Sequence, residues 1–103
     1  MGQIARFTTP AVSYKPRAVP IETIEQVYLV MKQGGRIVIE KDKDAASVID
    51  GGFVWTMTQE DTSRLDPHRH VAIQVDYLTD NGMRYTTVPR EYVVTNSGLN
   101  EVI

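Results

Sequence analysis

Cysteine is absent from the 103 residues. No disulfide framework, thiol nucleophile or thiolate metal site is therefore possible. Histidine occurs only twice, at His68 and His70, which leaves little imidazole for acid–base or metal chemistry. No apolar run approaches the roughly twenty residues that a membrane-spanning helix needs. Neither sign of charge dominates: 11 basic and 13 acidic residues give a formal net charge of −2. That mixture supplies no field to steer nucleic acid and no polybasic patch for a membrane surface, so neither is an expected partner. The start, Met1-Gly2-Gln3-Ile4-Ala5-Arg6, lacks an apolar signal core, and no signal peptide is expected.

What is present is ordinary for a globular protein: 42% hydrophobic and 23% charged residues. A chain of this length buries roughly 65% of its unfolded surface without metal or disulfides. The expectation is one soluble domain over residues 1–103, with 1–6 and 95–103 as loose tails.

Alternation with period 2 dominates the pattern. Val71, Ile73, Val75 and Tyr77 alternate with Ala72, Gln74, Asp76 and Leu78, the clearest strand in the chain. Asp80-Asn81-Gly82 provides the positive φ angles of a hairpin turn, and Met83–Val88 is the return strand before Pro89. Phe53, Trp55 and Met57 fall on one face of another strand, as core side chains. Gln26–Lys32 and Arg36–Lys41 form a hairpin about Gly34-Gly35, although Ile21, Ile24, Val27 and Met31 also fit a helical stripe. Pro10, Pro16 and Pro20 confine the first twenty residues to one edge strand containing Val12 and Tyr14. That strand is therefore a poor candidate for extension by a partner, and the Tyr92–Val94 end a better one. Lys41-Asp42-Lys43-Asp44 reads as a solvated loop. Ala45–Ile49 is a brief extended piece, closed by Asp50-Gly51-Gly52.

Between the strands at 53–57 and 70–79, Thr58-Gln59-Glu60-Asp61 matches a helix-starting box, a threonine cap with an acid three residues on. Asp66-Pro67 limits the helix to one or two turns, Gln59 to Arg64, with Leu65 plugging the end of a sandwich.

The candidates for chemistry are few. Histidines two apart on a strand point the same way, so His68 and His70, with Asp66 as a third ligand, are the candidate metal site, and a metal-dependent hydrolase is the enzymatic alternative they would serve. The ordinary alternative is surface residues at the start of a strand. Gln59, Glu60 and Asp61 have a sufficient explanation in helix capping and the helix dipole. Ser63 lacks a nucleophile elbow. Gly34-Gly35 and Gly51-Gly52 lack the helix and lysine of a phosphate loop. Arg84, Tyr85 and Tyr92 offer an aromatic–cationic surface for a carbohydrate or other ligand. No catalytic constellation and no cofactor-binding motif emerges, and the expected protein is not an enzyme.

Four stretches taken together resemble a known family: Arg36-Ile37-Val38-Ile39-Glu40-Lys41, Val54-Trp55-Thr56-Met57-Thr58-Gln59-Glu60-Asp61-Thr62, Val71-Ala72-Ile73-Gln74-Val75 and Asp80-Asn81-Gly82. In this order they are similar to small prophage-encoded proteins of tailed phages of Gram-positive bacteria, met among structural (tail or virion-associated) genes. The similarity spans about Val27 to Val94 and continues into the ending Glu101-Val102-Ile103. It implies an all-β, immunoglobulin-like sandwich of about seven strands, and it implies that Ile24–Met31 is a strand. It also implies a structural or adaptor role, made in the host cytoplasm and virion-associated, with other virion or tail proteins, and itself, as partners. Pro67-His68-Arg69-His70 departs from the family pattern, which argues against a family-wide metal site.

Overall fold

The computed structural model describes residues 2–103, and the alternating runs become strands whose apolar sides face one another across two sheets. The strands are β1 (Gly2–Ala5), β2 (Ala11–Tyr14), β3 (Ile24–Gln33), β4 (Arg36–Lys41), β5 (Ser47–Ile49), β6 (Gly52–Thr56), β7 (Val71–Thr79), β8 (Arg84–Thr86) and β9 (Arg90–Thr95). One α-helix, α1 (Gln59–Ser63), joins β6 to β7. The large sheet runs β1-β9-β7-β3-β4 with β8 also on β7, and the small sheet runs β2-β6-β5. The chain is an all-β sandwich, with nine strands among the described residues against the expected figure of about seven. Among the described residues no helix is long and apolar enough to cross a membrane.

The core follows from alternation. Val27, Leu29 and Met31 of β3 and Val71, Ile73, Val75 and Tyr77 of β7 face Phe53 and Trp55 of β6, and all are buried. Leu65, 1% exposed, closes one end as expected. Fully burying side chains of this size stabilises by about 1.5–3 kcal/mol each. The β3–β4 hairpin turns at Gly34-Gly35, both at positive φ, the type I′ pattern. Asp50-Gly51 makes the same turn between β5 and β6. In the β7–β8 turn only Gly82 takes a positive φ; the Thr79 N–H donates to the Met83 carbonyl at 2.9 Å. The helical reading of Ile21–Met31 is confined to a 3₁₀ turn at Ile21–Thr23, and β3 takes the rest.

Three expectations are corrected. Gly2–Ala5 is a strand rather than a loose arm: it pairs in parallel with Tyr92–Thr95, and Ile4 is 6% exposed. A strand of four residues has no local signal, and its partner lies some ninety positions away. For the same reason Tyr92–Val94 is not the open edge expected: β1 covers Tyr92–Thr95 on one side, and on the other β7 pairs with Arg90–Tyr92 and ends short of Val93. The run Lys41–Asp44 is not a bare solvated loop. Asp42 caps a 3₁₀ turn and its carbonyl accepts the Trp55 indole N–H at 2.9 Å, while Lys43 Nζ donates to the Ile24 carbonyl at 3.0 Å. At the C-terminal end, Gln59 holds Ile103 through both backbone groups, at 2.9 and 2.7 Å.

Candidate functional site

The polar crossover at α1 is a structural knot. The Thr58 hydroxyl accepts the Asp61 N–H at 3.0 Å and the Asp61 carboxylate accepts the Thr58 N–H at 2.9 Å, completing the expected capping box. Lys41 Nζ reaches the same carboxylate at 2.9 Å. Burial pushes the Asp61 carboxyl up, but the Thr58 amide, the Lys41 ammonium and the Thr58 hydroxyl together hold it below the ordinary carboxylate range. Thr62, fully buried, donates to the Thr8 carbonyl at 2.8 Å and accepts the Thr8 N–H at 3.0 Å. The Ser63 hydroxyl donates to the Glu60 carbonyl, one turn back.

The Asp66–His70 segment is a turn, not the beginning of a strand; β7 starts at Val71. The premise that His68 and His70 share a strand face therefore fails. Asp66 Oδ1 accepts the His68 N–H at 2.8 Å, the usual way an aspartate closes a turn. His70 Nδ1 lies 4.0 Å from Glu91 Oε2, with both side chains exposed. Among the described residues no group of three or more His, Cys, Asp or Glu side chains is placed to hold a metal ion. The segment is held from β3: Gln33, 7% exposed, donates to the Asp66 and Arg69 carbonyls at 2.9 and 3.1 Å and accepts the Asp66 N–H at 2.8 Å. Read locally, Gln33 is one more polar residue beside a glycine turn, and nothing there signals this role.

The surface of Arg84, Tyr85 and Tyr92 is divided by the sheet. Arg84 sits opposite Leu78 on the outer face, whereas Tyr85 turns inward and stacks on Tyr77 with centroids 5.0 Å apart. Tyr92 also lies inward, packed against the core and over Gly2, where an added Cβ would come within 2.6 Å of its ring. Tyr77 is pushed up to about 12 by burial and by the neighbouring Tyr14.

Arg84 instead joins a groove on the outer face of the large sheet, about 550 Å³ in volume. Its centre is apolar: Tyr28 and Val30 of β3, Ile37 of β4 and Leu78 of β7. Val30 is only 6% exposed although it points away from the core, because Gln74 and Glu40 flank it on the neighbouring strands. Ile37, at 55%, is open to solvent. The rim carries both signs, with Lys32, Arg84, Glu40 and Asp76. Burial pushes the Asp76 carboxyl up, but bonds from Thr86, Gln74 and Arg84, with the charge of Arg84, hold it below the ordinary value. Protein-binding surfaces commonly combine an apolar, aromatic-containing centre with a polar rim. The usual outer face of a sandwich sheet is polar throughout.

No protein-family model matches the chain, and no curated protein matches it.

Proposed function

We propose that this chain is a non-enzymatic assembly module that works by protein–protein contact through the outer groove of its large sheet. The observation that carries this reading is the outward-facing apolar line Tyr28, Val30, Ile37 and Leu78, of which Ile37 is open to solvent, inside a rim of both charges. Such a rim is self-complementary across a two-fold axis, since Lys32 of one copy can face Glu40 of another. The occupant proposed is therefore a second copy of the chain. The family resemblance supplies the setting: a structural or adaptor protein of a prophage, built as an immunoglobulin-like sandwich and associated with a virion or tail.

Sedimentation of the purified chain tests the contact. Wild-type protein is expected to associate with rising concentration, and Ile37→Glu, at an already exposed position, to sediment as a monomer. A wild-type monomer at the highest soluble concentration would remove self-assembly. Mass spectrometry of purified induced particles tests the setting, where consistent absence of the protein argues against a virion role. A ligand-binding module is the second reading, favoured by Tyr28 and Arg84 sharing the groove. A glycan screen without hits would eliminate its carbohydrate form.

A further inference from the structure

A second concavity, about 590 Å³, opens between the two sheets on the inner side of the large one. One wall is the end of β2 and the residues after it, with Ser13, Lys15 and Arg17; the other is Ile73 and Val75 of β7 with Thr87 and Arg90 from the β8–β9 connection and β9. Its cations are Lys15, Arg17 and Arg90, and no carboxylate lines it. Among the described residues none of these three is in an ion pair, as is the case for most lysines and arginines of the chain. An acid-free cationic cleft is unexpected in a chain whose acids outnumber its bases, 13 to 11.

The β2 wall is also an open sheet edge. The Pro10 carbonyl accepts the Met57 N–H at 2.9 Å, so residue 10 faces β6, and with it Val12 and Tyr14. Ala11 and Ser13 therefore direct their N–H and C=O groups away from β6. The prolines do not spoil this edge as the sequence suggested: Pro10 turns its missing donor toward β6, and Pro16 lies beyond the strand. Behind the edge, Val12, Ile73 and Val75 form an apolar floor, and Val88, 84% exposed, lines the cleft from the solvent side.

We propose that this cleft binds an acidic, extended peptide segment of a partner protein, which adds to the small sheet as a strand beside β2. Main-chain bonds to Ala11 and Ser13 supply the pairing. Alternate side chains pack on the apolar floor, and the carboxylates of the segment meet Lys15, Arg17 and Arg90. A compact inorganic anion fits the geometry less well, because all three cations are exposed around the mouth and do not converge as buried donors. Cleft and assembly groove share only Gln74 among their lining residues, and none of the three cations or the β2 edge belongs to the groove, so the two readings stand or fall separately.

Titration of the isotope-labelled full chain by nuclear magnetic resonance, with a capped peptide of alternating valine and glutamate, tests the proposal. The expected result is saturable shifts of the Ala11 and Ser13 amides, with binding that weakens several-fold, about two to five, as salt rises well above physiological strength. The triple variant Lys15→Glu, Arg17→Glu, Arg90→Glu should weaken binding by about tenfold or more. The single variant Arg90→Gln, which keeps more of the wild-type surface, should weaken it by a smaller factor. Equal binding of an alternating valine–lysine peptide overturns the idea, as does the absence of shifts at millimolar peptide. Inorganic phosphate reproducing the same shifts and displacing the peptide would also overturn it, in favour of a small-anion site.

Discussion

The α1 crossover, Thr58 to Leu65, and the turn that follows it, Asp66 to His70, are neighbours in the chain with similar densities of polar, chemistry-bearing residues. Their fates differ. In the crossover the side chains themselves are sequestered: Asp61 is 7% exposed and Thr62 fully buried, each with its bonds made. In the turn the side chains of Asp66, Arg69 and His70 remain largely in water, and it is the backbone that is held, by Gln33 reaching across from β3. Polar residues in a row do not distinguish a knot from a solvated surface; the depth at which tertiary packing places them does. A buried polar group must have a partner, because an unsatisfied one costs about 1–3 kcal/mol.

The largest effect should come from breaking the knot. Asp61→Ala leaves the Thr58 amide and the Lys41 ammonium without their acceptor, and urea unfolding should show a loss of about 2–3 kcal/mol. Asp61→Asn keeps an acceptor for the amide and should lose less. A cost near zero for the alanine variant would place Asp61 among the surface carboxylates and erase the contrast.

Gln33→Ala should come next, at about 2 kcal/mol, since it removes three hydrogen bonds and strands backbone groups of the 66–70 turn. Amide exchange sharpens the comparison: protection should fall at Asp66 and its neighbours while α1 keeps its own. Uniform loss over both segments would mean that they open as one unit.

Asp61 and Asp76 are held below their ordinary pKa, so the stability they contribute is complete above the unfolded value of about 3.9 and declines as pH falls through the lowered folded values. Thermal unfolding followed from pH 6 downward should show this decline, and Asp61→Asn should flatten it. At the alkaline end Tyr77, raised to about 12, contributes stability that is intact below the unfolded value of about 10 and is lost as pH climbs toward 12.

The smallest effect belongs to the histidines. Exchanging His68 and His70 for alanine should change stability by no more than about 0.5 kcal/mol, and added Zn²⁺ should leave the melting temperature where it was. A zinc-dependent rise that the double variant abolishes would restore the metal reading against the geometry.

Alternation, turn residues and the capping box are local rules, and they made most of the strands, the Gly34-Gly35 hairpin, the α1 cap and the core set legible from residues alone. The inward placement of Phe53, Trp55, Val71, Val75 and Tyr77 needed only the period of 2. The candidate surfaces were much less legible. Arg84 and Tyr85 are adjacent in sequence, and a strand sends adjacent side chains to opposite faces, so the aromatic–cationic surface drawn from both was divided by the rule that identified the strand. Tyr28 and Val30 could be assigned to one face, but only the neighbouring strands β4 and β7 turn that face into a groove.

What the sequence by itself determined is the material of a β-sandwich: which runs are strands, where they turn, and which side chains face inward. Steric limits on the backbone and the alternation of side chains act between near neighbours and can be read along a line. The tertiary structure alone decided that Gly2–Ala5 would join the large sheet beside β9, that Asp61 would meet Lys41, that Gln33 would hold the 66–70 turn, and that Lys15, Arg17 and Arg90 would surround one acid-free cleft. Each of those contacts joins residues far apart in the chain, and its existence depends on how the two sheets stack rather than on any pattern within a strand.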